Sequence, residues 1–271
     1  MNQFSLASKV VVVTGAAGLL GKNHVQAIIS AGGEPVLIDI NKSRLQSVVK
    51  EFNESYSVEL EHFAIDISDE NQVKTCCENI LLKFGHIDGL VNNAANNPKI
   101  EMNGVNEQSR LENFSIKNWQ EDIAVGLTGA FLCTKYFGAA IAKQGGSIVN
   151  ISSDLGLIAP DQRLYEKSGL APENQPVKPV TYSVVKTGLI GLSRYTATYW
   201  AKQGVRCNSL CPGGVENSQE TSFVTKLTSL IPLGRMAKQS DYQGSLVFLL
   251  SDASSYMTGT ELTADGGRTA W

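Results

Sequence analysis

The run KVVVVT at residues 9–14, followed at once by GAAGLLG, constrains this chain more than any other feature. Four consecutive valines make a stiff strand that is apolar on both faces, so it must be covered on both sides. Glycines 15, 18 and 21 then turn the chain into the helix-like stretch 19–31. A doubly buried strand running straight into a helix is half of a βαβ unit, the connection that parallel strands require.

The alternation continues. Strands are expected at 34–40, 58–67, 86–95, 146–152 and 205–211, and helices at 42–52, 69–84, 116–144, 180–203 and about 240–251, before the closing ELTADGG. No linker, repeat or low-complexity segment divides the chain. The reading is α/β: one Rossmann-type, doubly wound parallel sheet flanked by helices, a single domain over residues 1–271.

Composition narrows the function. Hydrophobic residues make up 42% of the 271, enough for a sizeable core, and a net charge of −3 without any lysine or arginine cluster excludes nucleic acid. MNQFSLASK lacks the features of a signal or transit peptide, and no apolar run reads as a bilayer span, so a cytoplasmic protein without membrane contact is expected. Cys76, Cys77, Cys133, Cys207 and Cys211 lack metal-ligand spacing and read as reduced thiols, with no metal site.

The chemistry is written in PVTYSVVKTGLIG, where Tyr182 and Lys186 stand one helical turn apart. Such a pair is often only a helix-surface contact. Here GGSIVNISS, ending in Ser152 and Ser153, precedes it, and the glycine turn opens the chain. A phenol titrates near 10. Bringing it to about 7.5 needs roughly 3–4 kcal/mol, about what an ammonium some 4.5 Å away supplies at an effective dielectric near 20. At the other end, Gly15 permits the tight turn, Gly18 lets a pyrophosphate approach backbone, and Gly21 lets helix pack on strand. Asp39, eighteen residues beyond Gly21, suits a ribose diol and repels a 2′-phosphate, which favours NAD over NADP, with Lys42 close by as a qualification. The other reading of Asp39 is a helix cap. Asp66 suits an adenine, and Asn92 and Asn93 either brace the loop or meet the cofactor.

With TGAAGLLG, Asp39, Asp66, NNAA, VNISS, YSVVK, CPGGV, PLGR and TGTELTADGG in order, the sequence resembles the short-chain dehydrogenase/reductase family along essentially its whole length. The resemblance implies Ser153, Tyr182 and Lys186 as catalytic residues. It implies a cofactor shell of Gly15, Gly18, Leu20, Gly21, Asp39, Asp66, Ile67, Asn93, Ala94, Tyr182, Lys186, Pro212, Gly213 and Val215. It further implies a small-molecule substrate, alcohol–ketone interconversion with Tyr182 as general acid/base, and a homodimer or homotetramer.

Three departures stand out. The TGxxGxxG spacing is commoner in the family's longer nucleotide-sugar epimerases and dehydratases, a second reading with tightly bound NAD. Gly126 occupies the family's usual asparagine position, which also admits an NAD-binding sensor or scaffold of weakened chemistry. Ser153 and Tyr182 lie twenty-nine residues apart, roughly double the family's habit, because of an insertion at about 159–179. That insertion reads as a substrate-contacting wall or lid, or else as an oligomer contact or surface ornament. Its polar residues Arg163, Tyr165, Glu166, Lys167 and Lys178, with a similarity to oxidoreductases of bacterial surface-sugar biosynthesis, suggest a sugar or sugar phosphate.

Overall fold

A computed structural model describes residues 3–96 and 108–271. Seven strands form one parallel sheet: β1 (Val10–Thr14), β2 (Glu34–Asp39), β3 (His62–Ala64), β4 (Gly89–Asn92), β5 (Gly146–Ile151), β6 (Val205–Pro212) and β7 (Glu261–Ala264). Their order is β3-β2-β1-β4-β5-β6-β7, so the direction of winding reverses between β1 and β4. Ligands in such sheets bind beyond the strand carboxyl ends at that switch point.

The valine run does what its composition requires. Val11 and Val13 enter one core with Leu37, Val91 and Val149, covered by Val25 and Ile28 of α1 (Leu19–Ser30) and Leu246 and Leu249 of α7 (Gln243–Leu250). Val10 and Val12 enter the opposite core with Val36 and Leu90, covered by Val73 and Ile80 of α3 (Glu70–Phe84) and Phe137 and Ile141 of α4 (Ile116–Ile141). Side chains alternate with period two, so one strand feeds both layers. α2 (Lys42–Tyr56) presents Leu45, Val48, Val49 and Phe52 to the first core and stops where Ser57 turns left-handed at φ 52°.

Several boundaries differ from expectation. The strand expected over 58–67 shrinks to three residues, because it is an edge strand paired only through Leu37, Ile38 and Asp39 of β2. The helix expected over 180–203 ends at Tyr199 as α5 (Val180–Tyr199), and an unforeseen helix, α6 (Thr221–Thr228), follows β6. One apolar run is longer than the sequence reading allowed. α4 (Ile116–Ile141) is long and apolar enough to cross a bilayer, with mean hydropathy 1.3, although half of its most apolar stretch is buried inside the protein. Wide π-type turns at Ala124–Gly129 and Thr134–Gly138 interrupt its regular winding.

Gly126 lies in the first of these turns. A β-carbon there would stand 2.5 Å from Val185 Cγ1 of α5, so the position has no room for any side chain. Gly129, Gly138 and Gly188 likewise pack on Ile67, Trp200 and Leu127, inside the subunit.

Candidate functional site

A cleft of about 530 Å³ runs along the carboxyl ends of the strands, across the switch point. Its first end is built by the β1–α1 turn. Gly18 caps α1 without bringing any side chain to the first-turn amides, which leaves a helix N-terminus suited to an anion. Thr14 ties this turn to β4: its hydroxyl donates to Val91 O (3.3 Å) and accepts from the amides of Asn93 (3.0 Å) and Ala94 (3.1 Å). The Asn93 amide group returns the contact, donating to Thr14 O and Gly15 O at 2.9 and 3.1 Å. Asn92 instead points into the core, donating to Thr134 Oγ1 and Asn150 Oδ1.

Asp39 ends β2 with one carboxylate oxygen accepting from Ala17 N (3.0 Å) and the other from Asn41 N (2.9 Å). The cap of α2 is Asn41, whose side chain accepts from Arg44 N, so the capping alternative for Asp39 falls away. Arg44 lines the same end of the cleft, a residue the sequence reading passed over. Asp66 and Ile67 line it too, with Asp66 accepting from the amide and hydroxyl of Ser68. His24 of α1 is wholly buried beside Asn93 with neither ring nitrogen hydrogen-bonded, and burial pushes its pKa down to about 4.

At the second end, β5 delivers two consecutive serines with different duties. Ser152 Oγ donates to the carbonyl of Lys186 (2.7 Å) and so fastens the strand to α5. Ser153 Oγ donates to Asp154 Oδ1 (2.7 Å) and accepts from Leu155 N (3.2 Å). Asp154 is buried with Arg268, whose Nη1 stands 3.7 Å from Asp154 Oδ2. Burial raises the Asp154 pKa, while the Ser153 hydrogen bond and the Arg268 charge oppose that rise.

Tyr182 and Lys186 share a face of α5, with the Lys186 ammonium 5.8 Å from the Tyr182 ring centroid. Lys186 Nζ donates to Ile151 O at 2.8 Å, and burial, with the charge of Lys178, pushes its pKa down to about 8. Lys186 is expected to lower the Tyr182 phenol with the help of a cofactor's charge; within the chain itself other groups act on it. Burial holds the phenol above its ordinary value; the Ser153 hydrogen bond opposes this and the Asp154 charge adds to it.

The insertion forms one wall of the cleft, through Pro160, Leu164, Tyr165 and Lys178. Leu164 packs with Leu227, Ile231 and Met236, and the Tyr165 ring lies 5.5 Å from that of Phe223. Lys226 of α6 donates to the carbonyls of Arg163 and Glu166. Gln175 knits the segment internally by donating to the carbonyls of Lys167 and Leu170. The Lys178 ammonium sits over the Tyr182 ring, 3.7 Å from its centroid.

Gly15, Gly18, Leu20, Asp39, Asp66, Ile67, Asn93, Ala94, Ser153, Tyr182, Lys186, Pro212, Gly213 and Val215 all line this single cleft. Gly21 does not. A β-carbon there would meet Gly15 O at 2.1 Å, so this glycine packs beneath the turn rather than facing a ligand. Asp154 and Arg268 were missed because their chemistry lies in a pairing across more than a hundred residues, which no local motif carries.

A family model described as Enoyl-(Acyl carrier protein) reductase matches residues 15–269. The chain is a short-chain dehydrogenase/reductase. It is 31% identical to a 2,5-dichloro-2,5-cyclohexadiene-1,4-diol dehydrogenase of Sphingobium indicum, covering 98% of both chains. It is also 31% identical to an NADP-dependent mannitol dehydrogenase of Hypocrea jecorina, covering 99% of this chain and 95% of that one. A short-chain type dehydrogenase/reductase from Mycobacterium marinum, 25% identical, superposes with a TM-score of 0.84 over 100% of this chain and 98% of its own. At this level the protein is an oxidoreductase acting on CH–OH groups.

Proposed function

We propose that this short-chain dehydrogenase interconverts a secondary alcohol and a ketone on a polyol or sugar, using a nicotinamide cofactor held along the cleft. The observation that carries the reading is the convergence of Ser153, Tyr182 and Lys186 at one end of a cleft whose other end holds the glycine turn and Asp39. The uncapped α1 N-terminus suits a pyrophosphate, and Asp39 suits a ribose diol. A cofactor there supplies the hydride acceptor or donor.

The chain's own residues handle the proton. Tyr182 takes it from the alcohol in oxidation and returns it to the carbonyl oxygen in reduction. Asp154 holds the Ser153 hydroxyl by accepting its proton, leaving the serine oxygen to accept from a substrate alcohol. Rotation of that O–H away from Asp154 lets Ser153 donate to a ketone instead. Lys186, buried and fixed on Ile151 O, keeps a cation near the phenol.

Asn96, Tyr165, Asn217 and Gln219 give the rim hydroxyl-binding groups, in keeping with the diol and mannitol dehydrogenases among the relatives. Asp39 supports NAD. Arg44 at the same end, together with the NADP dependence of the mannitol relative, supports NADP as the second reading. The resemblance also supports a homodimer or homotetramer, and α4 and α5 expose Phe131, Tyr195 and Tyr199, the two tyrosines stacked.

The test is purified protein with NAD or NADP against polyols, free sugars and sugar phosphates, followed by nicotinamide absorbance. Net cofactor reduction with an alcohol is expected. Cofactor that co-purifies and never changes redox state in bulk would point to an epimerase instead. Binding without turnover of any substrate would leave only a nucleotide binder.

A further inference from the structure

Asp154 and Arg268 face each other in the cleft wall across a gap that neither closes. Both line the cleft and each is only 5% exposed, yet Arg268 Nη1 stands 3.7 Å from Asp154 Oδ2, beyond hydrogen-bond reach. Asp154 Oδ1 is occupied, accepting from Ser153 Oγ at 2.7 Å and from Leu155 N at 2.8 Å. Oδ2 is the oxygen turned to the guanidinium. Arg268 Nε has no hydrogen-bond partner either. Buried polar groups are ordinarily paired, and a charged one left short of partners is costly. Asp265, three residues before Arg268, gives no relief, because its two carboxylate oxygens accept from the amides of Gly267 and Thr269.

A group that completes this pair has to accept from a guanidinium N–H and donate to a carboxylate oxygen at once. A hydroxyl does both. A carboxylate or a phosphate dianion only accepts, and would meet Asp154 as a like charge. An oxygen about 2.8 Å from each atom fits beside a pair that is 3.7 Å apart. The position of the gap says which hydroxyl it suits. The carboxylate that faces the gap through Oδ2 holds the Ser153 hydroxyl through Oδ1, and Ser153 is the residue that meets the reacting oxygen in the reading above.

Resting on that oxidoreductase reading, we propose that Asp154 and Arg268 form a subsite for a second hydroxyl, on the carbon next to the reacting one, so that the substrate is a vicinal diol or polyol. Arg268 then acts as a specificity residue: it accepts nothing from the reacting centre and reads the neighbouring oxygen. The segment after β7 has a chemical purpose, since it carries the guanidinium to the end of β5.

Kinetics and binding test this separately. Mixed stereoisomers of butane-2,3-diol, butan-2-ol and lactate are compared as substrates of the full chain with NAD or NADP. The kcat/KM for the diol should exceed that for butan-2-ol about tenfold or more, because a site built to bond a hydroxyl rejects the analogue that lacks it. Equal values overturn the proposal, since water and not substrate then fills the gap. A preference for lactate over the diol overturns it as well, in favour of an anion. In Arg268→Lys, which keeps a charge beside Asp154 and loses the fork, the diol-to-butan-2-ol ratio should fall to within about twofold of one, chiefly through KM for the diol. An unchanged ratio removes Arg268 from the subsite and overturns the proposal; should that variant fail to fold, the wild-type ratio decides alone. In the binding arm, butane-2,3-diol is titrated by calorimetry into the full chain with reduced cofactor present. Saturable binding is expected, weakened about tenfold in Arg268→Lys. If the diol binds in this way yet no alcohol is turned over, the oxidoreductase reading fails and the subsite stands. If butan-2-ol is oxidised while the diol neither binds nor reacts better, the subsite fails and the oxidoreductase reading stands.

Discussion

Gly126 faces Val185 across the α4–α5 contact, where a β-carbon would lie 2.5 Å from Val185 Cγ1. The family's asparagine therefore cannot simply be restored. Gly126→Asn should lower stability by about 1–3 kcal/mol through overpacking. Denaturant midpoints measure this, and the double variant with Val185→Ala should recover most of it. An undisturbed midpoint in Gly126→Asn would mean that the two helices are less closely packed than described.

Tyr182→Phe removes the proton-transfer oxygen and keeps the ring beneath Lys178. Turnover should fall at least 100-fold, in line with the usual contribution of general acid–base catalysis. Cofactor affinity, read by fluorescence titration, should stay within about threefold. Wild-type turnover in the variant would sink the assignment of Tyr182.

His24 sets a pH dependence of stability. Its folded pKa of about 4 lies below the unfolded value of 6.5. Between those values the unfolded chain binds more protons, so stability falls as pH falls through that window. The integrated loss is about 3 kcal/mol at 1.36 kcal/mol per unit. Urea unfolding across pH 6.5 to 4 should show this slope in the wild type and lose it in His24→Leu. Parallel curves would show that His24 is not buried in its neutral form.

Asp39→Ser removes the carboxylate from the end of β2 and leaves Arg44 in place. The ratio of kcat/KM for NADP to that for NAD should rise about tenfold or more, since the variant no longer repels a 2′-phosphate. If the ratio is unchanged, Asp39 serves the loop through Ala17 and Asn41 and does not select the cofactor.

The fold was legible because its signals are local. Four valines, a glycine turn and amphipathic helices repeat within βαβ units, and each strand length is set by its neighbours. Where pairing is one-sided, as at β3, the sequence overstates the strand. That Gly15, Gly18 and Asp39 meet at one end of the cleft was legible for the same reason, since they lie within one unit. Gly21 packs beneath the turn, as the helix-packing role read for it requires, and only its place in the cofactor shell falls away. Asp154, Arg268 and Lys178 could not be read together, because only the folded chain brings the end of β5, the insertion and the segment after β7 to one wall. The burial that raises the Tyr182 pKa within the chain does not show in a four-residue spacing either.

Thr14 holds the β1–α1 turn to residues nearly eighty positions further along, through Val91, Asn93 and Ala94. A growing chain has the glycine turn from the start and lacks its far support until the fourth strand docks. A ligand that depends on the shape of this turn therefore depends on β4 lying beside β1.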